Sequence, residues 1–125
     1  MPAYAGMTVL TYRIKRYDMQ QTSQLILTTC PDEATAKKIA RTLVEKKLAA
    51  CVKIQAKINA IYYWDNQIIE DNELQLMIIT QASQYHFVEQ TIKKLHPYDV
   101  PEIIGIDINN GSTDYLSWIE DYVES

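Results

Sequence analysis

The chain has 125 residues, 47% of them hydrophobic and 22% charged, which suits one folded domain with a proper core and excludes a disordered chain. A formal charge of −4 argues against nucleic-acid binding, which needs a basic face, and no apolar run approaches the ~20 residues that cross a bilayer. The charge is uneven: after residue 23, nine basic residues meet fifteen acidic ones, so the main body favours cations over anions.

Residues 1–23 form an extension of unclear role, and 24–125 a single domain. Thr8 to Ile14 alternates weakly, as an edge strand would, and Gln20-Gln21-Thr22-Ser23 resembles a linker. Met7 and Met19 offer alternative starts, so the extension is expected to contribute little to function. It has no basic segment ahead of an apolar run and does not read as a signal peptide, so a cytoplasmic protein with reduced thiols is expected.

Leu25 to Thr29 is a short apolar strand that Cys30-Pro31-Asp32-Glu33 ends. Proline in a first helical turn followed by acids then starts a helix, with Ala36, Ile39, Ala40, Leu43 and Val44 at helical spacing. Leu48 to Val52 leads into a buried strand, and Cys51 there is a core filler rather than a nucleophile. With Cys30 as the only other cysteine there is no disulfide scaffold, and neither CxxC nor a helical His-x-x-x-His offers a self-contained zinc site. Lys53 to Trp64 continues as a long strand, Asp65-Asn66 turns it, Glu70 to Glu73 is a polar rim, and Leu74 to Thr80 returns. Leu74, Leu76, Met77, Ile78 and Ile79 are nearly continuous, so this strand must be covered on both faces. Two helices can cover one face; with no spare helix for the other, a subunit interface is expected.

Ser83 opens a second helix with Tyr85, Val88, Ile92 and Leu95 on its apolar stripe and His86 beside it as a surface residue. Leu95-His96-Pro97-Tyr98-Asp99-Val100-Pro101-Glu102 follows. Its two prolines hold His96 and Val100 out of helical geometry, so an imidazole, a phenol and two carboxylates share one stiff loop. Ile103 to Ile108 is a strand, Asn109-Asn110-Gly111 turns it, and Ser112 or Thr113 caps a last helix bearing Tyr115, Leu116, Trp118, Ile119 and Tyr122. The order predicts an α+β, ferredoxin-like split β-α-β fold: a four-stranded antiparallel sheet, two helices on one face, and a short C-terminal helix.

Four motifs, Ala49-Ala50-Cys51-Val52, Ile61-Tyr62-Tyr63-Trp64, His96 to Glu102 and Tyr115-Leu116-Ser117-Trp118-Ile119, have the order and spacing of the CutA family of divalent-cation tolerance proteins. The chain resembles that family over about residues 24–122. The resemblance implies a homotrimer similar in architecture to PII signalling proteins, a link to copper and other divalent metals, and a cleft between subunits. The matching cleft positions are Tyr62, Trp64, Glu73, His96, Tyr98, Glu102, Tyr115 and Trp118, with Asp99 beside them. Three positions depart from the pattern. Ile79 replaces a usual lysine, which would leave the cleft's carboxylates freer to bind cations. Thr28 and Leu95 stand where some members carry a cysteine and a first histidine, so only His96 of that copper set remains, with Cys30 two residues along the strand.

Three functions follow. The first is a binding protein that takes Cu(II), Zn(II) or Ni(II) through His96 with Glu73, Glu102 and Cys30, no metal being obligatory. The second is a PII-like signalling module holding a small molecule among the aromatic residues and read by a partner protein. The third, an enzyme using His96, Tyr98, Asp99 and Glu102 as acid and base, lacks a nucleophile with an adjacent base and is set aside.

Overall fold

The computed structural model describes residues 22–123. The edge strand expected at Thr8–Ile14 lies outside them. Strand β1 (Ser23–Cys30) is central, and its even-numbered residues Ile26, Thr28 and Cys30 are fully buried. It begins inside the segment read as a linker, with Ser23 opposite Gln81. Helix α1 (Glu33–Glu45) starts one residue later than Pro31 suggests: Asp32 is the N-cap, its carboxylate accepting the Thr35 N–H at 2.8 Å, and Pro31 stands outside the helix. At the other end Lys47 takes a left-handed φ of 59°, and the N–H groups of Lys47 and Leu48 bond back to Val44 and Leu43. Those bonds satisfy two carbonyls that the helix end would leave orphaned.

Strand β2 (Cys51–Trp64) and strand β3 (Gln67–Gln81) form one long hairpin, turned by Asp65 and Asn66 at φ 51° and 61°. Two positive φ values match the twist of the flanking strands. The polar rim expected at Glu70–Glu73 is in fact strand, because every residue from Gln67 to Glu73 pairs across the hairpin. Nor is β2 buried; it is an edge strand, largely exposed. A bulge between Gln55 and Ile58, with Lys57 at φ 59°, interrupts its pairing. Before the bulge Cys51, Lys53 and Gln55 share a face with Ile79, Met77 and Gln75; after it Ile58, Tyr62 and Trp64 share that face with Glu73, Ile69 and Gln67. The extra residue therefore changes the phase of the alternation and sends Tyr62 and Trp64 to the face their parity would deny them.

A 3-10 turn at Ala82–Gln84 leads into helix α2 (Tyr85–Leu95), two residues later than Ser83 predicts, with His86 exposed. Strand β4 (Ile103–Asp107) pairs with β1, and helix α3 (Thr113–Tyr122) is capped by Ser112, whose hydroxyl accepts the Tyr115 N–H. The sheet is antiparallel in the order β2-β3-β1-β4, the predicted ferredoxin-like arrangement.

On one face, Ile26, Leu76 and Ile78 meet Ile39 and Leu43 of α1 and Val88 and Ile92 of α2, each worth about 1.5–3 kcal/mol of burial. The other face is not left wholly bare. Leu116, Ile119 and Val123, from α3 and just beyond it, cover Ala50 and Ile79, so the chain does hold a helix for that side. Helix α3 reaches only one end. Strand alternation puts Leu27, Met77, Ile104 and Ile106 on the remainder of this face, and Ile104 and Ile106 are 48% and 46% exposed.

Candidate functional site

The far end of that second face, beyond the bulge, carries a cavity of about 620 Å³. Tyr62 and Trp64 of β2, Asp71 and Glu73 of β3, Thr29 of β1 and the loop Pro97–Val100 with Glu102 line it. Each wall has a local cause. The bulge aims Tyr62 and Trp64, the period of two puts Asp71 and Glu73 on one side of β3, and the prolines hold the loop over the sheet.

His96 fastens that loop. It ends α2 with extended backbone, as a residue before proline must, and is 7% exposed. Its Nε2 lies 2.6 Å from the Thr29 carbonyl oxygen, and its Nδ1 lies 3.1 Å from the Tyr98 nitrogen. A carbonyl only accepts and a backbone N–H only donates, so Nε2 carries the proton and Nδ1 is bare. The ring also packs on Tyr98, centroids 4.8 Å apart. Both ring nitrogens are committed.

The cavity is electrically one-sided, with four carboxylates and no lysine or arginine in its walls. Glu73 is 7% exposed. Burial first, then the charges of Asp71 and Glu102, push its carboxyl above the usual range, and Thr29 and His96 offset this only in part. Tyr62 donates its hydroxyl hydrogen to the Asp71 carboxylate, and chiefly for that reason its pKa is pushed up to about 12. Burial, followed by the charges of Glu73 and Asp71, raises Tyr98 as well.

Six of the ten residues singled out from sequence thus meet in one place: Tyr62, Trp64, Glu73, Tyr98, Asp99 and Glu102. His96 sits behind the wall as a clamp. Cys30 does share a face with Thr28, but it is the helix-covered face; the thiol is fully buried and its pKa is raised to about 11, mainly by that burial. Thr28 is buried too, and Leu95 packs against the same core. Tyr115 and Trp118 stand on α3, ring centroids 5.7 Å apart, against the cluster containing Ile79. Ile79 lies six positions along the strand from Glu73, roughly 20 Å, so in one subunit the Ile79 departure does not touch the cavity. Asp71 and Thr29 were missed. The i, i+2 spacing of Asp71 and Glu73 would have exposed Asp71 had Glu70–Glu73 been read as strand.

The sequence model of the CutA1 divalent ion tolerance protein family matches residues 24–122. The chain belongs to this family. It is 43% identical to Protein CutA of Mus musculus over 97 residues, which are 78% of this chain and 55% of that one, so it spans about half the length of the mouse relative. With the divalent-cation tolerance protein CutA of Thermus thermophilus it shares 40% identity over 98 residues, 78% of this chain and 95% of the relative. Its fold superposes on the solved structure of the divalent cation tolerance protein from Thermus thermophilus with a TM-score of 0.80 at 38% identity, covering 82% of this chain and 99% of the other. The structure called the periplasmic divalent cation tolerance protein CutA from Archaeoglobus fulgidus gives 0.79 at 34%, with 82% and 99% covered.

For this CutA1 family chain the donor set bears directly on a divalent ion. Among the described residues no three histidine, cysteine, aspartate or glutamate side chains gather to hold a metal. An ion on His96 would have to break a hydrogen bond at 2.6 or 3.1 Å, and one on Cys30 would have to enter the core. An imidazole–thiolate set does not fit one subunit. The carboxylate oxygens of the cavity are what the subunit offers. No helix among the described residues is long and apolar enough to cross a membrane.

Proposed function

We propose that the chain works as a homotrimer of the divalent-cation tolerance type, and that its carboxylate cavity, completed by a neighbouring subunit, binds divalent metal at low to moderate affinity. The observation that carries the reading is a cavity with four carboxylates and no basic residue in its walls. Glu73 and Glu102, with Asp71, are the oxygen donors, and His96 holds the loop that presents Glu102. Oxygen ligands alone give modest selectivity among Cu(II), Zn(II) and Ni(II), and none of them is obligatory for folding in this reading. The trimer is supported by the apolar strip of Leu27, Met77, Ile104 and Ile106 that α3 leaves uncovered. It is supported also by the separation of Tyr115 and Trp118 from the cavity, since one cleft containing both groups requires two chains. The reading is of a binding protein, not an enzyme, and of a cytoplasmic one whose two thiols, Cys30 and Cys51, are free.

Calorimetric titration with Cu(II), Zn(II) and Ni(II) tests it. Glu73→Gln with Glu102→Gln should weaken uptake about tenfold or more, whereas His96→Asn should retain uptake wherever it stays folded. Uptake unchanged in the double variant, or lost in a folded His96 variant, would overturn the carboxylate assignment.

A further inference from the structure

Within one subunit the volume and walls of the cavity offer more room than a bare ion fills. A divalent ion needs several oxygen atoms converging within bonding distance, and the described residues supply no such group. A space of about 620 Å³ is instead in the range of pockets for small organic molecules. Its apolar walls include the rings of Tyr62, Trp64 and Tyr98 beside Pro97 and Val100, and Trp64 is 54% exposed in the single chain, so its ring has surface to offer a ligand. Aromatic faces attract cations whose charge is spread over carbon and nitrogen, most strongly where water is excluded.

Glu73 supplies the second, independent observation. It lines the cavity, is more than nine-tenths buried and has no cationic partner among the described residues, where the ion pairs are Lys37–Glu33 and Lys93–Glu89. A hydrogen bond with Thr29 and the nearby His96 ring offset its charge only in part. Burying an unpaired charge is costly, and the cost falls only if the group takes a proton or meets a cation.

We propose that this cavity takes an organic cation, an alkylammonium or alkylguanidinium group, with its charge on Glu73 and its flank against Trp64 and Tyr98. The proposal rests on the reading of the cavity as the cation site and names a second class of cation for it. Guanidinium suits the site best, since it is planar, can stack on a ring and can donate two parallel hydrogen bonds to a carboxylate. Anionic small molecules are excluded by Asp71, Glu73, Asp99 and Glu102 together.

Titration calorimetry of the full chain with n-butylguanidinium, n-butylammonium, n-butanol and butyrate, beside Zn(II), tests this. The two cations should bind, the guanidinium more tightly, and butanol and butyrate should not. Glu73→Gln should weaken butylguanidinium about tenfold, from loss of the charge-assisted bonds. Trp64→Leu should weaken it about fivefold, from loss of the ring face, and leave Zn(II) unchanged. Zn(II) uptake that depends on Glu73 with no butylguanidinium uptake would overturn this inference and leave the metal reading standing. Butylguanidinium uptake that depends on Trp64 without Zn(II) uptake would do the reverse. Binding of butyrate as tight as butylguanidinium, or of neither cation class, would overturn it as well.

Discussion

Glu73 is held in the folded state with a carboxyl that ionises less readily than in the unfolded chain, because burial and two neighbouring carboxylates disfavour its charge. A raised folded value means that the stability Glu73 contributes is full below the ordinary carboxylate range and is lost as pH rises through the folded value. Glu73→Gln should therefore raise the Tm at neutral pH and flatten the decline of stability from pH 4.5 upward, as a series of thermal melts would register. An unchanged pH profile would show that Glu73 is solvated after all. The loop residues were the most legible in the sequence, since prolines and polar side chains advertise a corner. The role of His96 was not. Its partner Thr29 lies 67 residues away, and nothing in the local pattern shows that both ring nitrogens are occupied before any ligand arrives.

At the scale of elements, apolar spacing foretold the helices and the central strands, and hydrophobic burial then fixed their order. The hairpin was harder. An alternation read straight through β2 places Tyr62 on the helix side with Val52 and Ile54. The bulge that reverses this is carried by a lysine, not by the glycine that would announce it. Lys57 at φ 59° adopts a conformation that costs a side-chain-bearing residue about 1–2 kcal/mol. Lys57→Gly should recover part of that, about 0.5–1 kcal/mol after the entropy of the glycine is counted, and chemical unfolding at equilibrium measures it. A loss of stability would place the strain elsewhere. Helix α3 was predicted, but its docking was not, because an apolar stripe on a short terminal helix specifies burial without specifying whose surface buries it.

For the whole molecule, the covered and bare parts of the second face divide stability from assembly. The helix-side core around Ile26, Leu76 and Ile78 is complete within one chain, whereas Ile104 and Ile106 look outward from β4. If three copies assemble over this strip as proposed, Ile104→Glu combined with Ile106→Glu should leave the circular dichroism of the fold in place and reduce the mass by light scattering from three copies to one, since a charge in a dry seam costs more than the seam gains. A trimer that persists would move the interface off this strip. The two aromatic groups, Tyr62 with Trp64 at the cavity and Tyr115 with Trp118 on α3, lie apart in one chain. In the ring of three proposed above, the α3 pair of each copy would border the mouth of the next copy's cavity and leave its interior free. A chain damaged at the cavity and a chain damaged at α3 would then reconstitute one sound junction wherever the two intact halves meet, so defects that silence each chain alone would complement one another in a mixed ring.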